Sequence, residues 1–259
     1  MKKYKYVVIL MLSLFMLFGC EKENKQTNET PKTEKKAALT LTFKPKFEGQ
    51  DLVFNKMTHI IQASDTLNFS RVQLILSNFE LIKENGETVK LDTFAYLNLA
   101  EKRNEVKIDE TMPEGTFKGI KFMIGLDSSI NHGDPNRWSK NHPLNPIVNN
   151  MHWGWQGGYI FWVCEGYYMN NGNSNQIFSF HMANLKYRKQ ITLETSNTFS
   201  FDNNNKIAKV IDVNLDKYFS TPNQYSLKTN GDLSHSSSPD EDLIMDLLYT
   251  NLSNTFELK

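Results

Sequence analysis

At 259 residues, with a formal net charge of zero and 39% hydrophobic residues, the chain is long enough for one well-buried domain or two small ones. The balanced charge gives no sign of the basic face that nucleic-acid binding requires. Catalytic signatures are equally absent: no Gly-x-Ser-x-Gly elbow and no HExxH occurs, and the chain reads as a binding protein rather than an enzyme.

The N-terminus reads as an export signal. Lys2, Lys3 and Lys5 precede an apolar run from Val7 to Phe18, interrupted only by Ser13. Twelve helical residues rise about 18 Å, short of the roughly 30 Å hydrocarbon core, so this is a signal h-region rather than a stable span. Leu17-Phe18-Gly19-Cys20 resembles the lipobox of bacterial lipoproteins. That resemblance implies cleavage after residue 19 and acylation of Cys20, which anchors the protein to a membrane without a spanning helix. Residues 1–19 hold three lysines and no acids, so the remainder carries a net charge of −3. Residues 21–37 contain five lysines, four glutamates and no large apolar residue, the composition of a disordered tether. With Cys20 acylated, Cys164 has no disulfide partner, and its neighbours Phe161, Trp162 and Val163 mark it as a buried thiol. The expected location is the cell envelope, as an outer-membrane lipoprotein facing either the periplasm or the surface. Glu21-Lys22-Glu23 resembles an acidic surface-export signal.

From residue 38 to 259 the pattern is mostly β. Thr40–Lys46 alternates, and Ser70–Lys83 places Val72, Leu74 and Leu76 on one face. Asn85-Gly86 then turns the chain into Thr88–Leu99, a hairpin signal. Phe117–Ile124, Gly158–Cys164, Gln176–Met182, Lys189–Glu194 and Ile207–Leu215 also read as strands. Near the end, Ser238 and Glu241 form a capping box with Pro239 at the first helical position. Leu243, Ile244, Leu247 and Leu248 supply the apolar stripe of that helix. These elements predict a single antiparallel β-sandwich, Greek-key-like, with long loops and one short C-terminal helix.

Residues 127–155 show no periodicity, and loops of that length in compact domains are usually functional or disordered. All four tryptophans (Trp138, Trp153, Trp155, Trp162) and three of the six histidines (His132, His142, His152) lie between residues 131 and 162. On composition alone, the aromatics could equally fill one end of a sandwich.

A set of short motifs occurs in order along the chain: Leu76-Ser77-Asn78, Pro113-Glu114-Gly115, Ile124-Gly125-Leu126-Asp127 with Asn131-His132, Pro143-Leu144-Asn145, Met151-x-Trp153-x-Trp155-x-x-Gly158-Tyr159, Glu165-Gly166 and Phe180-His181. Together they resemble the MbnP-like copper-binding family, extracytoplasmic proteins related to the methanobactin-associated copper protein. The resemblance covers most of residues 38–259. It implies a β-rich fold and copper bound by histidines. In some members it also implies a tryptophan oxidised to kynurenine by a dihaem peroxidase-like partner. The Phe-His pair usually continues Leu/Ile-Gly; here it continues Met182-Ala183.

Imidazole suits copper and thioether suits its reduced form. His181 is the first ligand candidate because it falls at the family's Phe-His position; the alternative is a satisfied core histidine. His132 stands at the Asn-His position, against a solvent-facing loop histidine. His235, before the C-terminal helix, is the third candidate, against a turn residue. Trp153 and Trp155 are two apart and share a side if extended, so either could flank the metal or be the oxidised residue. His152 and Met151 adjoin them, while His142 and His59 read as surface residues. Glu165 reads as structural. A second function stays open: a surface adhesion or glycan-binding module without metal, in which the tryptophans stack on sugar rings.

Overall fold

The computed structural model describes residues 37–110, 112–154, 157–170, 174–201, 205–236 and 239–259. Cys20, the signal and tether segments, Trp155 and the expected cap Ser238 lie outside the described residues. Among the described residues, no helix is long and apolar enough to cross a membrane.

In chain order the strands are β1 (Ala37–Phe47), β2 (Gln50–Asp51), β3 (His59–Ile60), β4 (Thr66–Lys83), β5 (Thr88–Leu91), β6 (Ala95–Asn98) and β7 (Glu105–Glu110). They continue with β8 (Gly115–Ile124), β9 (Ile160–Asn170), β10 (Ser174–Ala183), β11 (Lys189–Phe201), β12 (Lys206–Asn214), β13 (Leu233–Ser234) and β14 (Phe256–Leu258). The helices are α1 (Ser128–Asn131), α2 (Pro146–Asn149), α3 (Leu215–Tyr218), α4 (Leu227–Asn230) and α5 (Pro239–Leu252).

Two sheets form the expected sandwich. The smaller runs β14-β12-β1-β2, with β7 also on β1. The larger runs β11-β8-β4-β9-β10-β13, with β3, β5 and β6 also paired to β4. Aromatic side chains fill the space between them: Phe43 of β1 meets Phe122 of β8 edge-on at 5.7 Å, and Phe122 meets Phe256 of β14 at 5.7 Å. Trp162 of β9 packs on Phe256 and on Tyr218 of α3. Such rings remove large apolar areas from water, the dominant favourable term of folding. Cys164 is fully buried here, as its apolar neighbours predict, and burial pushes its thiol well above its ordinary pKa.

Several details depart from the sequence reading. The sheets are mixed, because β1 pairs β12 in parallel from Ala38↔Lys206 to Lys46↔Asn214, and β13 lies parallel to β10. The Thr88–Leu99 segment is two strands, with β5 and β6 both returning onto β4. Helix α5 starts at Pro239 as expected, but Leu243 is exposed. The fully buried line is Met245, Leu248 and Leu252, the i, i+3, i+7 face turned to the sandwich.

Strand β9 runs six residues past the expected end at Cys164. Its extension lies between β4 and β10, and Gly166 is what allows the close approach. A Cβ there would stand 1.9 Å from the Asn68 carbonyl oxygen of β4. This tight three-strand seam carries the polar residues described next.

Candidate functional site

Register assembles the site. Across the larger sheet, Arg71 of β4 faces Glu165 of β9, Glu165 faces Ser179 of β10, and Ser179 faces Leu233 of β13. Because β10 and β13 are parallel and in step (Ser179↔Leu233, Phe180↔Ser234), the next pair in line is His181 and His235. Neighbouring strands lie about 4.8 Å apart, and the two imidazoles stack with centroids 4.6 Å apart and planes at 19°. The short segment bearing His235 is tied down on both sides. Ser179 N–H donates to the Asp232 carbonyl at 2.8 Å, and the Ser236 hydroxyl donates to the His181 carbonyl at 2.6 Å.

Trp153 completes the cluster, its ring 6.2 Å from that of His181 and 6.4 Å from that of His235. It is 42% exposed. The turn that delivers it depends on two glycines. Gly157 passes so close that a Cβ would meet Trp153 Cβ at 2.7 Å. Gly158 adopts φ +69° and packs against the Asn131 amide.

Beneath the imidazoles lies a polar chain. Glu165 Oε1 is 2.5 Å from His181 Nε2. Arg71 Nη1 reaches both Glu165 oxygens, at 3.3 and 3.4 Å. The Ser179 hydroxyl sits 3.3 Å from Glu165 Oε1, 3.3 Å from His181 Nε2 and 3.5 Å from His235 Nε2. The His181 hydrogen bond, with help from the Arg71 charge, holds the Glu165 carboxyl below the usual range against the opposing effect of burial.

The remaining candidates go elsewhere. His132 is exposed at the C-terminal cap of α1, its ring contacting Ser128 and Asn131. No ring or hydrogen-bond contact joins it to His181 or His235 among the described residues. His152 packs edge-on against Tyr159 at 4.5 Å and accepts the Gly154 N–H on Nδ1; burial lowers its pKa. Met151 is fully buried, its sulfur 3.9 Å from Arg71 Nη2. His142, expected at the surface, stacks on Trp138 at 4.1 Å, and His59 is buried against Phe47 and Phe69.

Sequence reasoning missed Arg71 and Ser179 and gave Glu165 only a structural part. A signal existed for Arg71, the one arginine inside the otherwise largely apolar Ser70–Lys83 run.

Two imidazoles side by side under an indole suit a borderline cation such as copper. Among the described residues, however, no three His, Cys, Asp or Glu side chains are disposed to hold a metal ion. Among the described residues, the cluster offers two imidazole donors, His181 and His235.

Comparison with known proteins agrees with this architecture. The structure is similar to that of MbnP from Methylosinus trichosporium, with a TM-score of 0.55 and 14% identity, covering 86% of this chain and 98% of that one. At that identity the likeness establishes the fold alone. No curated protein matches the sequence. The MbnP family model matches residues 36–239, most of the chain and every described strand but β14, and on that match the chain belongs to the MbnP family.

Proposed function

We propose that this protein is an extracytoplasmic lipoprotein, anchored through Cys20, that binds copper for acquisition or buffering, with His181 and His235 as ligands beside Trp153. The observation that carries this reading is the parallel β10–β13 register, which sets two imidazoles from residues 54 positions apart in direct contact. Stacked histidines on a half-open sheet edge are poor fillers of a core, whereas imidazole is a preferred copper donor. Family membership supports the copper reading. His132, held in the α1 cap, is left out of the ligand set. Trp153 is the indole we place as the candidate for oxidation by a peroxidase-like partner, since its ring faces both imidazoles.

The test is metal retention. Mature protein loaded with copper and washed with a weak chelator is expected to keep it stoichiometrically, and His181→Ala to reduce it to traces. Equal, trace retention by both proteins would defeat the proposal. Intact mass of protein from its native host would report oxidation of a tryptophan. The alternative glycan-binding reading draws on the partial exposure of Trp153; sugar binding lost in Trp153→Ala, without copper retention, would favour it.

A further inference from the structure

We propose that Glu165, held in place by Arg71, is a positioning residue that fixes the His181 ring as its Nε2–H tautomer, so that Nδ1 is the nitrogen His181 offers to a metal. Only the last clause rests on the copper reading above.

An ionised carboxylate accepts hydrogen bonds and has none to give. Arg71 approaches both oxygens of Glu165, so the carboxylate faces a fixed positive charge across the β4–β9 pair. The close contact between Glu165 Oε1 and His181 Nε2 therefore takes its proton from the imidazole. A neutral imidazole protonated on Nε2 keeps its one lone pair on Nδ1. The proton assignment thus selects the coordinating atom before any metal arrives.

Ser179 reinforces the choice. Its hydroxyl lies 3.3 Å from Glu165 Oε1 and 3.3 Å from His181 Nε2. With its single proton directed to the carboxylate, the oxygen turns its lone pairs toward the ring nitrogen, which again calls for a proton on Nε2. Both carboxylate and imidazole are largely shielded, with side-chain exposures of 24% and 13%, so water competes weakly for these bonds. A carboxylate on the non-coordinating nitrogen of a metal-binding histidine orients the ring and raises its basicity, and its loss typically costs about 10–100-fold in metal affinity.

Three measurements on the full mature chain test the assignment. In metal-free protein with labelled histidine, long-range proton–nitrogen NMR near neutral pH is expected to place the His181 proton on Nε2; a proton on Nδ1 instead overturns the proposal. Copper affinity should fall about 10–100-fold in Glu165→Ala and be largely retained in Glu165→Gln. The glutamine oxygen, oriented by Arg71, still accepts the Nε2 proton but is a poor metal donor. Unchanged affinity in Glu165→Ala overturns the positioning role. An equal loss in both variants also overturns it, by making Glu165 a ligand. If Glu165→Ala fails to fold, the wild-type NMR result and the glutamine variant decide. Wild-type protein that binds no copper defeats the copper reading, while the metal-free tautomer still settles the Glu165–His181 assignment.

Discussion

The stretch from residue 127 to 150 and the sheet edge formed by β9, β10 and β13 have opposite uses for their polar groups. The first spends them on itself and on Tyr159, just beyond it. Asn131 Oδ1 accepts the Tyr159 N–H, Asn145 binds the Trp138 carbonyl, Asn149 binds the Pro143 carbonyl, and the Tyr159 hydroxyl donates to the Leu144 carbonyl. Its aromatics are spent in the same way, with Trp138 stacked on His142 and the Arg137 guanidinium 4.4 Å from its ring centre. Buried backbone groups in a non-repetitive segment must find partners, and here asparagine side chains supply them. Along β9, flanked by β4 and β10, the ladder satisfies the backbone, so its side chains are released for other work. Conspicuous composition marked the first region; long-range register built the second.

The largest expected effect separates the two directly. His235→Ala should lower copper retention as far as His181→Ala does, and the double variant should be no worse than either, because the two rings form one site. A retained site in either single variant would place the ligands elsewhere.

Next is the seam beneath the site. Gly166→Ala is expected to destabilise the fold by about 1–3 kcal/mol through overpacking, since the new Cβ meets the Asn68 carbonyl. Urea unfolding measures this, and a loss within error would show that β4 and β9 can part without cost. In the other region, Asn131→Ala strands the buried Tyr159 N–H and should cost about 1–3 kcal/mol. The folded fraction should still retain copper; loss of retention would tie the segment to the site.

A smaller effect is pH-dependent. The Glu165 carboxyl is held below its ordinary pKa, so its contribution to stability is present above the usual carboxylate range and lost as pH falls through the lowered value. Glu165→Gln should flatten that acid slope, and identical slopes would contradict the ion-pair geometry. Smallest of all, His132→Ala should leave copper retention unchanged.

Much of the fold was legible. β4, β8 and β12 carry the alternation or apolar runs from which strands are read, and the Pro239 helix start is where its local chemistry places it. What escaped was everything set by register between distant segments. The parallel β1–β12 pair joins residues more than 160 positions apart, and no local period records it. β13 has two residues, too few to show any alternation. His235 could therefore be named as a candidate, but not as the neighbour of His181. Glu165 stands one residue past the expected strand end, so its ladder position between Arg71 and Ser179 is not legible locally; that end falls at Cys164. Beyond it the residues become more polar, since Tyr167 is exposed on the outer face. His132, named for its motif, falls at the C-terminal cap of α1 with its ring against Ser128 and Asn131.

If one parallel register makes one two-imidazole site, X-ray absorption at the copper edge of the loaded mature protein will show scattering from two imidazole ligands in wild type and from a single one, or no bound copper, in His235→Ala. An unchanged two-imidazole signal in that variant, or fewer than two imidazoles in wild type, would rule the shared site out.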